Sequence, residues 1–127
     1  MSWNLSSDRP IYIQLVERLK KQIAAGMYSP GDKFPSVREL ALEAAVNPNT
    51  MQRAMAALEA DGLLITSRTA GRTVTTKEEL IKKMKEQIAY EEFERFYNSM
   101  RELGFDEEGI IEFIRQVKIT DKEGGSK

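Results

Sequence analysis

Residues 35–62, PSVRELALEAAVNPNTMQRAMAALEADG, carry the strongest structural signal in the chain. Pro35-Ser36-Val37-Arg38-Glu39 opens a helix: Ser36 can cap the free N–H groups of the first turn, and Glu39 can reach back to the N–H of Ser36. Val37, Leu40, Ala41 and Ala44 then fall on one inward face, and the helix ends near Ala45. Asn47-Pro48 starts a second helix, with Asn47 as cap and Pro48 at the first position, where a missing N–H costs nothing. Met51, Ala54, Met55 and Leu58 form its buried stripe, and Gly62 ends it. Only Ala45 to Asn47 separate the two. A short helix, a tight turn and a second helix make a helix-turn-helix.

The chain around this unit reads as its support. Pro10 suits a helix start, and Ile11, Leu15, Leu19 and Ile23 recur every four residues beside Tyr12 and Val16, which predicts an amphipathic helix over about 10–25. Residues 1–9 are expected to be an irregular entry, and Ser29-Pro30-Gly31-Asp32 a turn. After Gly62, Leu63-Leu64-Ile65-Thr66 and Arg72-Thr73-Val74-Thr75 read as the strands of a small hairpin turning at Thr69-Ala70-Gly71. Thr76-Lys77-Glu78-Glu79 repeats the capping-box pattern ahead of a long helix, about 77–103, and Asp106, Glu107 and Glu108 suit the positive end of a last one. The fold class expected is mostly α with one β-hairpin. Its domains are 1–76, a winged helix-turn-helix, and 77–119, a helical dimerisation segment, followed by a disordered tail over 120–127.

Composition narrows the chemistry. The 127 residues carry a net charge of −1 and hold neither cysteine nor histidine. Disulfides, thiolate nucleophiles, the usual zinc sites and histidine bases are therefore absent from the repertoire. No paired-acid spacing, phosphate loop or nucleophile elbow supports an enzyme. No cofactor or metal is expected, because Glu91, Glu92 and Glu94 point in different directions from one helix. Apolar runs are too short for a membrane span, and MSWNLSSDRP lacks a secretory pattern, so a cytoplasmic protein is expected. Residues 1–76 hold nine Lys and Arg against seven Asp and Glu, whereas residues 77–127 hold ten against thirteen. A mildly basic unit precedes an acidic one, the pattern of a phosphate-binding unit joined to one with another task.

For DNA, the second helix must offer side chains to base edges from its outer face. At about 100° per residue, Asn49 and Arg53 point opposite the core stripe, with Gln52 and Thr50 on the flanks. Ala56 and Ala60 farther along are small enough for close approach. Asn and Gln can pair with adenine and Arg with guanine. Arg38 beside the turn, and Arg68 and Arg72 about the hairpin tip, are candidate phosphate or minor-groove contacts.

Residues 10–74 strongly resemble the GntR-type winged helix-turn-helix domain. The likeness is carried by Pro10-Ile11-Tyr12, Gly26, Pro30-Gly31-Asp32, Pro35 to Ala41, Val46 to Thr50, Arg53-Ala54, Leu58, Gly62-Leu63 and Gly71. The resemblance implies DNA contacts from Ser36, Arg38, Asn47, Asn49, Thr50, Gln52, Arg53, Gly71 and Arg72. Two positions depart from the family pattern. Ala45 stands where the turn usually has glycine, at a cost of about 1 kcal/mol if φ is positive there. The wing, Arg68 to Arg72, is poorer in glycine than is usual.

Only 51 residues follow Thr76, which resembles the short YtrA-like branch, where a helical pair makes the dimer. Two such helices cannot bury their own stripes as an independent domain. Leu80, Met84, Ile88, Phe93, Phe96, Tyr97, Met100, Ile110, Phe113, Ile114 and Val117 are therefore expected to face a second copy. The function expected is a transcriptional repressor that binds a pseudo-palindromic double-stranded DNA operator as a homodimer. The resemblance points to a transporter or cell-envelope operon; no effector pocket is legible. The competing reading is a winged-helix module that binds another protein, and salt-sensitive DNA binding separates the two.

Overall fold

A computed structural model describes the backbone of residues 3–69 and 71–124 and the side chains through Lys118. The elements are α1 (Ile11–Ala24), α2 (Val37–Ala44), α3 (Pro48–Ala60), β1 (Leu64–Ser67), β2 (Gly71–Val74), α4 (Glu78–Glu102) and α5 (Glu107–Gly124). Ala70, in the expected turn, and residues 125–127, in the expected tail, lie outside the described residues. By internal packing the chain divides into two compact units, Met1–Gln87 and Ile88–Lys127.

The first unit is built by local signals acting together. The Ser36 hydroxyl accepts from the Glu39 N–H at 3.1 Å, and the Ser36 N–H donates to Glu39 Oε1 at 2.8 Å, so the expected capping box closes. The Asn47 side chain accepts from the Asn49 N–H at 2.7 Å, with Pro48 in the first helical turn. Between the two helices, Ala45 sits in the left-handed region at φ 60 and ψ 48. The Ala45 N–H donates to the Leu42 carbonyl and the Val46 N–H to the Ala41 carbonyl, the bond pair of a Schellman motif. Alanine thus pays a backbone strain of about 1 kcal/mol at a position glycine would fill freely.

Leu15, Leu19 and Ile23 of α1, Leu40, Ala41 and Ala44 of α2, and Met51, Ala54, Met55 and Leu58 of α3 meet in one core. Leu63, Leu64 and Val74 close it from the hairpin. The strands pair antiparallel with Leu64 opposite Val74 and Thr66 opposite Arg72. Residues 31–34 lie along the free edge of β2. The Gly31 N–H donates to the Val74 carbonyl, the Val74 N–H to Asp32, and the Phe34 N–H to Arg72. This backbone pairing holds the wing against the segment that leads into α2.

Three features differ from the sequence expectation. Residues 3–9 form an irregular entry, yet one strapped to the core. Trp3 is buried, its Nε1 donates to Glu43 Oε2 at 3.2 Å, and its carbonyl accepts from Arg18. Gln14 is buried too, accepting from the Ser6 N–H and donating to the Ser6 and Arg9 carbonyls. The unit boundary also falls within α4 rather than before it, because Leu80, Ile81 and Met84 pack on the first unit's core. Finally, α5 runs to Gly124, so the backbone of residues 120–124, within the tail expected to be disordered, is helical.

In the second unit α4 ends at Glu102, Gly104 in the turn after it takes φ 100, and the Asp106 carboxylate caps α5 by accepting from the Gly109 N–H at 2.8 Å. Met100 and Ile110 are buried there, and the Phe105 and Phe113 rings meet edge to face at 5.7 Å.

Candidate nucleic-acid interface

Core packing orients α3. With Met51, Ala54, Met55 and Leu58 fully buried, the opposite face is left to solvent, and Asn49, Gln52, Arg53, Ala56 and Ala60 are exposed on it. Thr50 is half-buried on the flank. The helix therefore presents an amide pair and a guanidinium in its first half and a low alanine ridge in its second. Asn47 and Ser36 sit at the starts of α3 and α2, and their side-chain oxygens are engaged in the caps described above. Arg38, the second residue of α2, is exposed.

Arg53 has a partner that the sequence reading missed. Its guanidinium carbon stands 3.7 Å from the centroid of the Tyr12 ring in the first turn of α1. Lys20 of α1 and Asp61 after α3 form a second link between the same two helices, at 3.2 Å. Helical spacing pairs residues three or four apart on one element, so it carries no signal for a contact between residues 12 and 53.

The wing divides into an outer and an inner arginine. Arg68 is exposed before the tip, and Gly71 begins β2 at φ 72 with open space where a side chain would stand. Arg72, a candidate phosphate or minor-groove contact, faces inward. Its side chain is only 19% exposed and turns toward α3, with Nη2 at 3.4 Å from Glu59 Oε1. Its Nε is buried with no hydrogen-bond partner among the described residues. Pairing with Thr66 across the hairpin aims this side chain at the protein, where it ties the wing to α3. Between the wing and the start of α2 lies an open cleft of about 390 Å³, lined by Lys33, Phe34, Ser36, Met55, Thr66 and Arg72 among others.

The residues expected at a dimer interface fall into four groups. Leu80 and Met84 are half-buried against the core of their own first unit. Met100 and Ile110 are buried within the second unit. Phe93, Phe96, Phe113, Ile114 and Val117 are exposed, with Tyr90, Leu103 and Ile111 beside them in the same unit. Ile88 and Tyr97 are half-buried, and Tyr97 stacks on Phe93 at 5.8 Å. Among the described residues, no helix is long and apolar enough to cross a membrane.

A capped helix pair with a three-residue turn, a hairpin behind it and a polar outer face on the second helix define a winged helix-turn-helix transcription regulator, a DNA-binding class. This chain belongs to the GntR family: the family model described as bacterial regulatory proteins, gntR family, matches residues 11–74. Among its relatives, the uncharacterized HTH-type transcriptional regulator YhcF of Bacillus subtilis (strain 168) is 36% identical over 125 residues, covering 98% of this chain and 100% of that one. The HTH-type transcriptional repressor YtrA of the same organism is 34% identical over 127 residues, covering 95% and 93%. A solved GntR family transcriptional regulator from Listeria monocytogenes superposes with a TM-score of 0.81 at 38% identity, over 88% of this chain and 98% of that one. The similarity to YhcF and YtrA extends through both helical elements that follow the wing.

Proposed function

We propose that this regulator represses transcription by occupying a pseudo-palindromic operator as a homodimer in the cytoplasm. The observation that carries the reading is the outer face of α3, where Asn49, Gln52 and Arg53 stand exposed together in the first half of the helix. In a major groove these groups match the acceptor and donor edges of adenine and guanine, and the exposed alanines behind them allow the close approach such contacts need. Arg38 and Arg68 neutralise phosphates on either side. Arg72 works through its pair with Glu59, holding the wing at a set position on α3. The name of the relative YtrA, a repressor, supports repression.

The dimer follows from the second unit. Phe93, Phe96, Phe113, Ile114 and Val117 expose apolar surface that an isolated helix pair cannot cover. A second copy covers it isologously and carries a second α3 to the next half-site, about 34 Å away for a one-turn spacing.

The test is selection of bound duplexes from a random-sequence pool by the full chain, with affinity then measured across salt. An enriched inverted repeat with affinity falling linearly in log salt is expected. Arg38→Ala should lower the salt slope by about one. A single ungapped half-site would overturn the dimeric reading, and no enrichment with no salt dependence would point to a protein partner.

A further inference from the structure

The cation that leads the outer face of α3 is held from behind by another helix. Tyr12 is half-buried in the first turn of α1, and the Arg53 guanidinium carbon lies 3.7 Å from the centre of its ring. That separation is van der Waals contact between a cation and an aromatic face. The platform beneath it is rigid. One turn along, Leu15 is fully buried, and Gln14 ties the start of α1 to the carbonyls of Ser6 and Arg9. Arg53 belongs instead to the exposed face, with three to four rotatable bonds of its own to restrain.

The chemistry of guanidinium makes this arrangement useful. Its N–H donors lie in its plane, so an aromatic ring against one face leaves the edge donors available. A guanine edge offers two acceptors to a bidentate arginine. An arginine already stacked in one orientation loses less side-chain freedom on binding than one free in solvent.

We propose that Tyr12 is a positioning residue for Arg53: an aromatic platform on α1 that pre-sets the guanidinium for bidentate donation to a guanine edge, and so fixes one base of the preferred sequence. The inference rests on the proposed docking of α3 in the major groove. It assigns a sequence-reading task to a residue outside the helix-turn-helix.

The experiment uses the full chain and the duplex it recovers from a random-sequence pool, with an unrelated duplex of equal length as control. Tyr12→Phe keeps the ring, Tyr12→Leu removes it while keeping bulk, and each is combined with Arg53→Ala. Tyr12→Leu should weaken the selected duplex about threefold to tenfold, with control-duplex binding unchanged. Tyr12→Phe should behave as the native chain. In the Arg53→Ala background Tyr12→Leu should have no further effect. Repeated selections with Tyr12→Leu and Arg53→Ala should lose preference at the same base pair. A Tyr12→Phe defect equal to that of Tyr12→Leu would overturn the proposal, because the hydroxyl would then act by itself. So would an undiminished Tyr12→Leu effect in the Arg53→Ala background. A fold defect is separated by NMR of the unbound chain, in which the Arg53 side-chain protons should show a ring-current shift in the native and Tyr12→Phe proteins. Absence of that shift from the native chain overturns the stack. A native chain that recovers no preferred duplex sinks the docking reading and this proposal with it, an outcome distinct from normal selection with variants that break the pattern.

Discussion

The two units of this chain bury their apolar residues to opposite degrees. In the first, Leu15, Leu19, Leu40, Met51, Met55 and Leu58 are fully buried, and the entry segment adds Trp3 to the same core. In the second, Met100 and Ile110 are buried among the described residues, while Phe93 is 54% and Leu103 74% exposed. The difference is one of geometry. Three helices and a hairpin can enclose a volume between them, whereas two helices share one seam and leave their remaining faces open. The first unit therefore encloses a core of its own, and the second leaves apolar surface exposed.

That contrast can be broken most severely at the first core. Leu58→Ala should cost about 2–5 kcal/mol, because a fully buried leucine leaves a cavity. Urea unfolding followed by fluorescence reads it cleanly, since Trp3 is the single tryptophan and lies in that core. A loss below about 1 kcal/mol would mean the core collapses around the gap.

Next in size is a change in the second unit. Ile114→Glu should leave the Trp3 transition in place at low denaturant yet reduce the solution mass, by light scattering, to that of one chain. An unchanged dimer would remove Ile114 from the interface.

On the outer face of α3, Asn49→Ala should lose about 1–3 kcal/mol of affinity for the selected duplex if Asn49 reads a base. The solution mass and the Trp3 transition should be unaffected. An equal loss on unrelated duplexes would assign Asn49 to the backbone instead.

The smallest expected effect sharpens the picture of the first unit. Ala45→Gly should raise stability by about 1 kcal/mol, because φ 60 is strained for alanine. A neutral or negative result would show that glycine's greater freedom in the unfolded chain offsets the relieved strain.

Much of this was legible in residue order because it is local. The capping box of Ser36 and Glu39, the Asn47 cap and the outward set of Asn49, Gln52 and Arg53 each depend on neighbours within a turn. Such signals are set by the chain's own dihedrals and period. The bounds of α1 to α4 followed closely for the same reason, and family membership was carried by those same motifs. Trp3 was passed over because seven polar or irregular residues separate it from α1, and its partner Glu43 lies 40 positions away. The inward turn of Arg72 was equally hidden, since a strand's alternation says which face a residue takes but not what stands on that face.

Residue order alone sets the helix-turn-helix, its caps, the hairpin and the polar face of α3, because period, capping and turn chemistry act over a few residues. Packing between elements brings Tyr12 behind Arg53, draws Arg72 inward to Glu59, braces β2 with residues 31–34 and seats the start of α4 on the first core. These are contacts between elements, and their geometry depends on how helices pack, which no local spacing encodes.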